Sequence, residues 1–264
     1  MASSQRKQPS CITVLLYVAV FVVLFSSCGS GSGGTPSPAP TVSRSFLSLH
    51  ICGDDTTSYP QQFLQEAARN IADRIDSDIS PNMGGMFVDF SLIEVNSLQQ
   101  SYVSFSVPAI RAISPKPHVV PDPYKFATEL RDWKKQIASV TALVASARAS
   151  IKPSLDKLRS IHLQEVGGTD IPGCADTAAD EFSHVTNGRK VLLYVSDMQS
   201  NVDMQLSKHI NLHSAIVRTI YRVCQVERAC EQNDAYWSKQ FTAWGASSYE
   251  AFSPAQSSAE HITY

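Results

Sequence analysis

The chain has 264 residues, 43% of them hydrophobic and 17% charged, with a formal net charge of −2. It holds no tract of clustered Lys and Arg, which argues against a nucleic-acid partner, because neutralising phosphates requires such clusters. No internal repeat is visible, so a repeat array is excluded and one α/β domain with a sizeable core is expected behind the leader.

The leader covers residues 1–28. Arg6 and Lys7 give it a basic start, and Ile12 to Phe25 are apolar except for Thr13, a length suited to the hydrophobic region of an export signal. An uncleaved membrane anchor is the alternative, since the run falls somewhat short of the ~20 residues of a spanning helix. The anchor would tether the chain at a membrane, as would lipidation of a cysteine at the end of an export signal. Residues 29–43, rich in Gly, Ser and Pro, form a flexible linker. Arg6 and Lys7 are the only charges before Cys28, so the remainder carries 20 Lys and Arg against 24 Asp and Glu, a formal −4.

Residues 45–52 alternate and then turn apolar, as a first strand would, and end at the acidic turn Gly53-Asp54-Asp55. Pro60 then opens an amphipathic helix in which Phe63, Ala67, Ile71 and Ile75 share one face, up to about Ser77. Residues 86–95 and 102–107 are predicted strands, and the prolines of 108–123 predict a loop. From 124 to 162 the pattern is helical, with Phe126, Leu130, Trp133, Ile137, Val140, Leu143 and Val144 close to a heptad, and Pro153 is expected to kink or split it into a hairpin or arm. The apolar run 189–196 predicts a central strand covered on both faces, followed by a strand at 216–223, a helix at 233–245 and a short strand at 248–252. Alternating strands and helices imply an α/β, doubly wound and mostly parallel sheet. The domain is expected over 44–253, with a long helical insertion at about 122–163 and a tail at 254–264.

In such sheets ligands bind outside the carboxyl ends of the strands. Three polar groups fall there: Asp54-Asp55-Thr56-Thr57-Ser58, Gly167-Gly168-Thr169-Asp170 and Ser196-Asp197-Met198. Together they resemble the metal-ion-dependent adhesion site of the von Willebrand factor A (VWA) family, in which Asp-x-Ser/Thr-x-Ser, a later Thr and a later Asp surround one cation. The resemblance spans about 45–252 and is closer to bacterial surface lipoproteins that carry such a domain. It implies a VWA-type, Rossmann-like fold and a metal site of Asp54, Thr56, Ser58, Thr169 and Asp197 holding Mg2+ or Mn2+. A protein partner would complete the shell with an acidic side chain. Hard cations of this kind favour oxygen ligands and keep waters where carboxylates are few. Met198 stands where many members have Gly, which bears on how open the loop is. The same residues could instead cap the helices that follow them.

Phe25-Ser26-Ser27-Cys28 resembles a lipobox, with Phe25 in place of the usual Leu, and implies lipidation at Cys28 and display on the outer face of the cell membrane. Export permits disulfides among Cys52, Cys174, Cys224 and Cys230. Cys224 and Cys230 are the preferred pair and resemble a cysteine pair of those lipoproteins; two free thiols are the alternative. Trp237, Phe241 and Trp244 share a helical face and are expected to be core.

His209 and His213 lie at i, i+4 without the rest of a hydrolase motif and are expected on a helix surface. Position 56 is Thr where an aspartate-based phosphotransferase needs a second Asp, and no nucleophile elbow or phosphate loop is present. A binding module rather than an enzyme is therefore expected. The alternatives are a scaffold whose cation only braces loops while the helical insertion binds the partner, and a metal-assisted hydrolase.

Overall fold

Leu47, Leu49 and Ile51 alternate with Ser48, His50 and Cys52 along β1 (Phe46–Asp54), so this strand sends one set of side chains to each face of its sheet. The same division holds in β4 (Gly188–Val195), where Val191, Leu193 and Val195 join one core and Leu192 and Tyr194 the other. In this computed structural model the described residues are 45–93, 101–163, 167–200, 209–224 and 226–257, all within the unit Thr41–Tyr264. The leader, Cys28 and the linker lie outside the described residues. Among the described residues no helix is long and apolar enough to cross a membrane.

The two central strands are flanked by β2 (Met86–Ile93), β3 (Ser101–Val107), β5 (Ile216–Ile220) and β6 (Ser248–Ala251) in the order β3-β2-β1-β4-β5-β6. Only β3 runs antiparallel to its neighbour. Helices α1 (Gln61–Asp78) and α2 (Pro123–Arg159) pack on one face, and α3 (Ile171–Ser183) and α4 (Glu227–Ala243) on the other. The result is a doubly wound α/β sheet, buried on both faces as the apolar run of β4 implies.

Several local expectations change. β1 continues through Gly53 and Asp54, pairing them with Leu92 and Ile93, where the sequence suggests a turn. Gly53 serves close packing instead: a Cβ there would lie 2.8 Å from Leu64 of α1 and 2.9 Å from the Phe90 ring. Pro153 neither kinks α2 into two helices nor makes a hairpin; 37 residues form one helix, roughly 55 Å long at 1.5 Å per residue. Pro153 and Ala149 both lie on the exposed side, so the carbonyl deprived of its donor faces water. Asp122 caps the helix start by accepting from the Tyr124 and Lys125 amides at 2.9 and 3.2 Å. α4 begins at Glu227, six residues before the apolar period reveals it. His209 and His213 occupy turns rather than a helix, and His213 has a left-handed φ of 51°.

The preferred cysteine pair is bonded, and so is a second pair that the sequence did not single out. Cys224 joins Cys230 in the first turn of α4, and Cys52 of β1 joins Cys174 of α3 across a sequence separation of 122. The second bridge escaped the sequence because β1 and α3 meet only in the folded chain.

Candidate functional site

The strand order reverses between β1 and β4, whose carboxyl ends therefore open the crevice where doubly wound sheets bind ligands. Asp54 ends β1, and Ser196 and Asp197 follow β4. Around them lies a chain of oxygens. Thr169 Oγ1 donates to Thr56 Oγ1 at 3.5 Å, Thr56 Oγ1 donates to Asp54 Oδ1 at 2.7 Å, and Thr56 Oγ1 and Ser58 Oγ lie 3.0 Å apart. Ser196 Oγ donates to the other Asp54 oxygen at 2.6 Å. Asp54, Thr56, Thr169 and Asp197 are buried, whereas Ser58 is exposed, so the cluster opens to solvent on the Ser58 side.

Burial raises the pKa of both carboxylates and so makes them weaker acids. Desolvation pushes Asp54 up against the hydrogen bonds from Ser196 and Thr56 that stabilise its charge. Asp197 is pushed up to about 6, first by desolvation and then by the Asp54 charge, which couples the two groups electrically. Tyr59, buried just before α1, is raised as well by desolvation and by the charges of both aspartates; its hydroxyl donates to the Tyr221 carbonyl at 2.9 Å. Among the described residues no Lys, Arg or His lies at ion-pair distance from Asp54 or Asp197.

Helix capping does not account for these groups. Pro60 stands at the N-cap of α1 with no side-chain bond, and α3 is capped by Asp170, which accepts from the Gly173 amide at 2.8 Å. Gly173 is required there, since a Cβ would meet the Asp170 carboxylate at 2.1 Å.

The third loop is held from α4. Trp237 Nε1 donates to the Met198 carbonyl at 2.8 Å, and Asn233 Nδ2 reaches the carbonyls of Asp197 and Met198 at 3.2 Å each. Met198 has a φ of 61°, the left-handed region in which Gly costs least. Its side chain is buried in the core beside Trp237 and Phe241, rather than exposed at the loop surface. Ser196, Asn233 and Trp237 were missed as site residues. Ser196 carried a signal, a hydroxyl directly before Asp197 at a strand end, whereas the other two reach the loop only through folding.

A second cluster lies under α3. His50 and Asp89 are register partners on β1 and β2, and the last turn of α3 adds Glu181. His50 Nδ1 is 2.9 Å from Glu181 Oε2 and 3.5 Å from Asp89 Oδ2. These three side chains are arranged so that they could hold a divalent ion. The Cys52 and Cys174 sulfurs also neighbour His50, but they are bonded to each other and offer no thiolate.

No protein-family model and no curated protein matches the chain. Among solved structures it is similar to a von Willebrand factor type A protein from Catenulispora acidiphila, at 14% identity and a TM-score of 0.34, over 67% of this chain and 33% of that one. It is also similar to the pilus adhesin SpaC from Lactobacillus rhamnosus GG in its open conformation, at 11% identity and a TM-score of 0.38, over 82% of this chain and 28% of that one. The chain thus spans about a third or less of either protein. These are distant, partial likenesses of fold and say nothing about function.

Proposed function

We propose that this chain is an extracytoplasmic binding module of VWA type that holds one magnesium or manganese ion through Asp54, Thr56, Ser58, Thr169 and Asp197, and engages a protein partner there. The oxygen cluster at the β1 and β4 ends carries this reading. Its spacings of 2.7, 3.0 and 3.5 Å bracket the roughly 3.0 Å edge of an octahedron with ~2.1 Å metal–oxygen bonds. Two coupled, buried carboxylates without a cationic side chain complete a fitting donor set. Few direct carboxylates leave such an ion electrophilic, so an acidic side chain of a partner is the natural remaining ligand. Two disulfides support an oxidising, extracytoplasmic compartment. The leader would supply the tether, through lipidated Cys28 or as an anchor; intact mass of membrane-extracted protein distinguishes them.

Calorimetric titration of magnesium and manganese into chelator-stripped protein tests the site. One bound ion is expected, lost in Asp54→Ala and in Thr169→Ala variants that keep their circular dichroism. No binding in the parent protein and no cation-dependent capture of acidic peptides would remove the reading.

One observation favours docking elsewhere. The buried residues of α2 begin at Val140, while Tyr124 near its start and Val119 before it are 86% and 83% exposed. If this arm takes the partner, Tyr124→Ala weakens partner capture and chelation does not.

A further inference from the structure

We propose that His50, Asp89 and Glu181 form a second, separate cation site whose chemistry selects zinc. The parallel register of β1 and β2 sets His50 beside Asp89 on the α3 face, and α3 lays Glu181 across them. Separations of 2.9 and 3.5 Å from the imidazole nitrogen to the two carboxylate oxygens bracket the roughly 3.3 Å edge of a tetrahedron with ~2.0–2.1 Å bonds. The three ligand atoms lie within 4.8 Å of one another, close enough to share one ion.

The donors are also held in position. Ser91 Oγ donates to Asp89 Oδ2 at 2.8 Å, and the far nitrogen of His50 meets Cys174 Sγ at 3.5 Å, so ring and carboxylate are oriented from outside the trio. A divalent ion between a neutral imidazole and two carboxylates gives a formally neutral group, which suits a site where His50 is fully buried and Asp89 nearly so. The Glu181 side chain, 23% exposed, marks the solvent side, where water can take the fourth position. An imidazole with carboxylates favours zinc and its neighbours, whereas the hydroxyl and carboxylate oxygens at the sheet edge favour magnesium. The two sites would therefore sort their ions, and zinc here would cross-link β1, β2 and the end of α3.

The test is zinc titration of the chelator-stripped full chain in saturating magnesium, with cobalt as a spectroscopic substitute. One zinc equivalent is expected, accompanied by a rise in thermal midpoint and by visible cobalt bands of low-coordinate geometry. Glu181→Gln, at the partly exposed ligand, weakens zinc at least tenfold and removes the bands, whereas Asp54→Ala retains both. Absence of a zinc equivalent in the parent protein, or zinc affinity unchanged in Glu181→Gln, overturns the proposal and leaves a buried hydrogen-bonded trio. Because Asp54→Ala separates the sites, failure here leaves the magnesium reading standing, and the reverse also holds.

Discussion

The two polar clusters of this domain are both built on β1, four residues apart, yet they are opposite in construction. At the sheet edge, Asp54 from the end of β1 and Asp197 from the loop after β4 repel each other, and the Thr56 and Ser196 hydroxyls donate to Asp54. In mid-strand, His50 faces Asp89 and Glu181 from a fixed register, with donor and acceptors in contact. A cluster at loop ends can be kept electrostatically unsatisfied and ready for a ligand. One inside the sheet face must be satisfied, because unpaired buried charge is costly.

The largest expected effect concerns the bridge between them. Replacing Cys52 and Cys174 together by Ala should cost about 5 kcal/mol in denaturant unfolding, against about 2 kcal/mol for the Cys224 and Cys230 pair, because the loops closed differ in length. Similar losses for both would mean that the long bridge constrains little.

Next comes the contrast itself. In cation-free protein, His50→Ala removes the hydrogen-bond partner of partly exposed Glu181 and leaves buried Asp89 without its imidazole neighbour, and should destabilise by about 1–3 kcal/mol. Asp197→Asn relieves repulsion and should stabilise by about 1 kcal/mol, the scale of one unit of carboxylate acidity, while magnesium binding is lost. If both variants destabilise equally, the two clusters are not opposite in kind.

The pH dependence sharpens the same point. Asp197 titrates at about 6 in the fold against an ordinary 3.8, so between those values the folded chain holds more protons than the unfolded one. Stability of the cation-free protein therefore falls as pH rises through this window and the loss is complete above about 6. A cation replaces the proton, so magnesium affinity should increase over the same interval, and saturating magnesium should flatten the decline. Chemical denaturation at several pH values, with and without magnesium, checks this.

The smallest effect is at Met198. Gly there relieves a left-handed φ worth about 1 kcal/mol but removes a buried side chain worth about 2 kcal/mol, so Met198→Gly should destabilise by about 1 kcal/mol in thermal unfolding.

Periodicity together with turn signals pointed to the strands, to α1, α2 and most of α4, to the doubly wound sheet and to the apolar faces of Ile71, Ile75, Trp237 and Phe241, because burial imposes periods of two and 3.6 residues on any chain that folds this way; α3 was not placed by it. The resemblance of three polar loop groups to a metal-ion-dependent adhesion site, rather than any period, singled out Asp54, Thr56, Ser58, Thr169 and Asp197 as a candidate set. What the residues could not declare is how segments far apart in the chain meet. His50 reads as an ordinary alternate position until β2 brings Asp89 and α3 brings Glu181, and Cys52 has no visible partner until α3 crosses β1. Pro153 looks like a break until its exposed side shows water within reach of the freed carbonyl. Local sequence carries periodicity and strand ends; partners more than a hundred residues away are chosen by sheet order and helix packing, which only the tertiary structure decides.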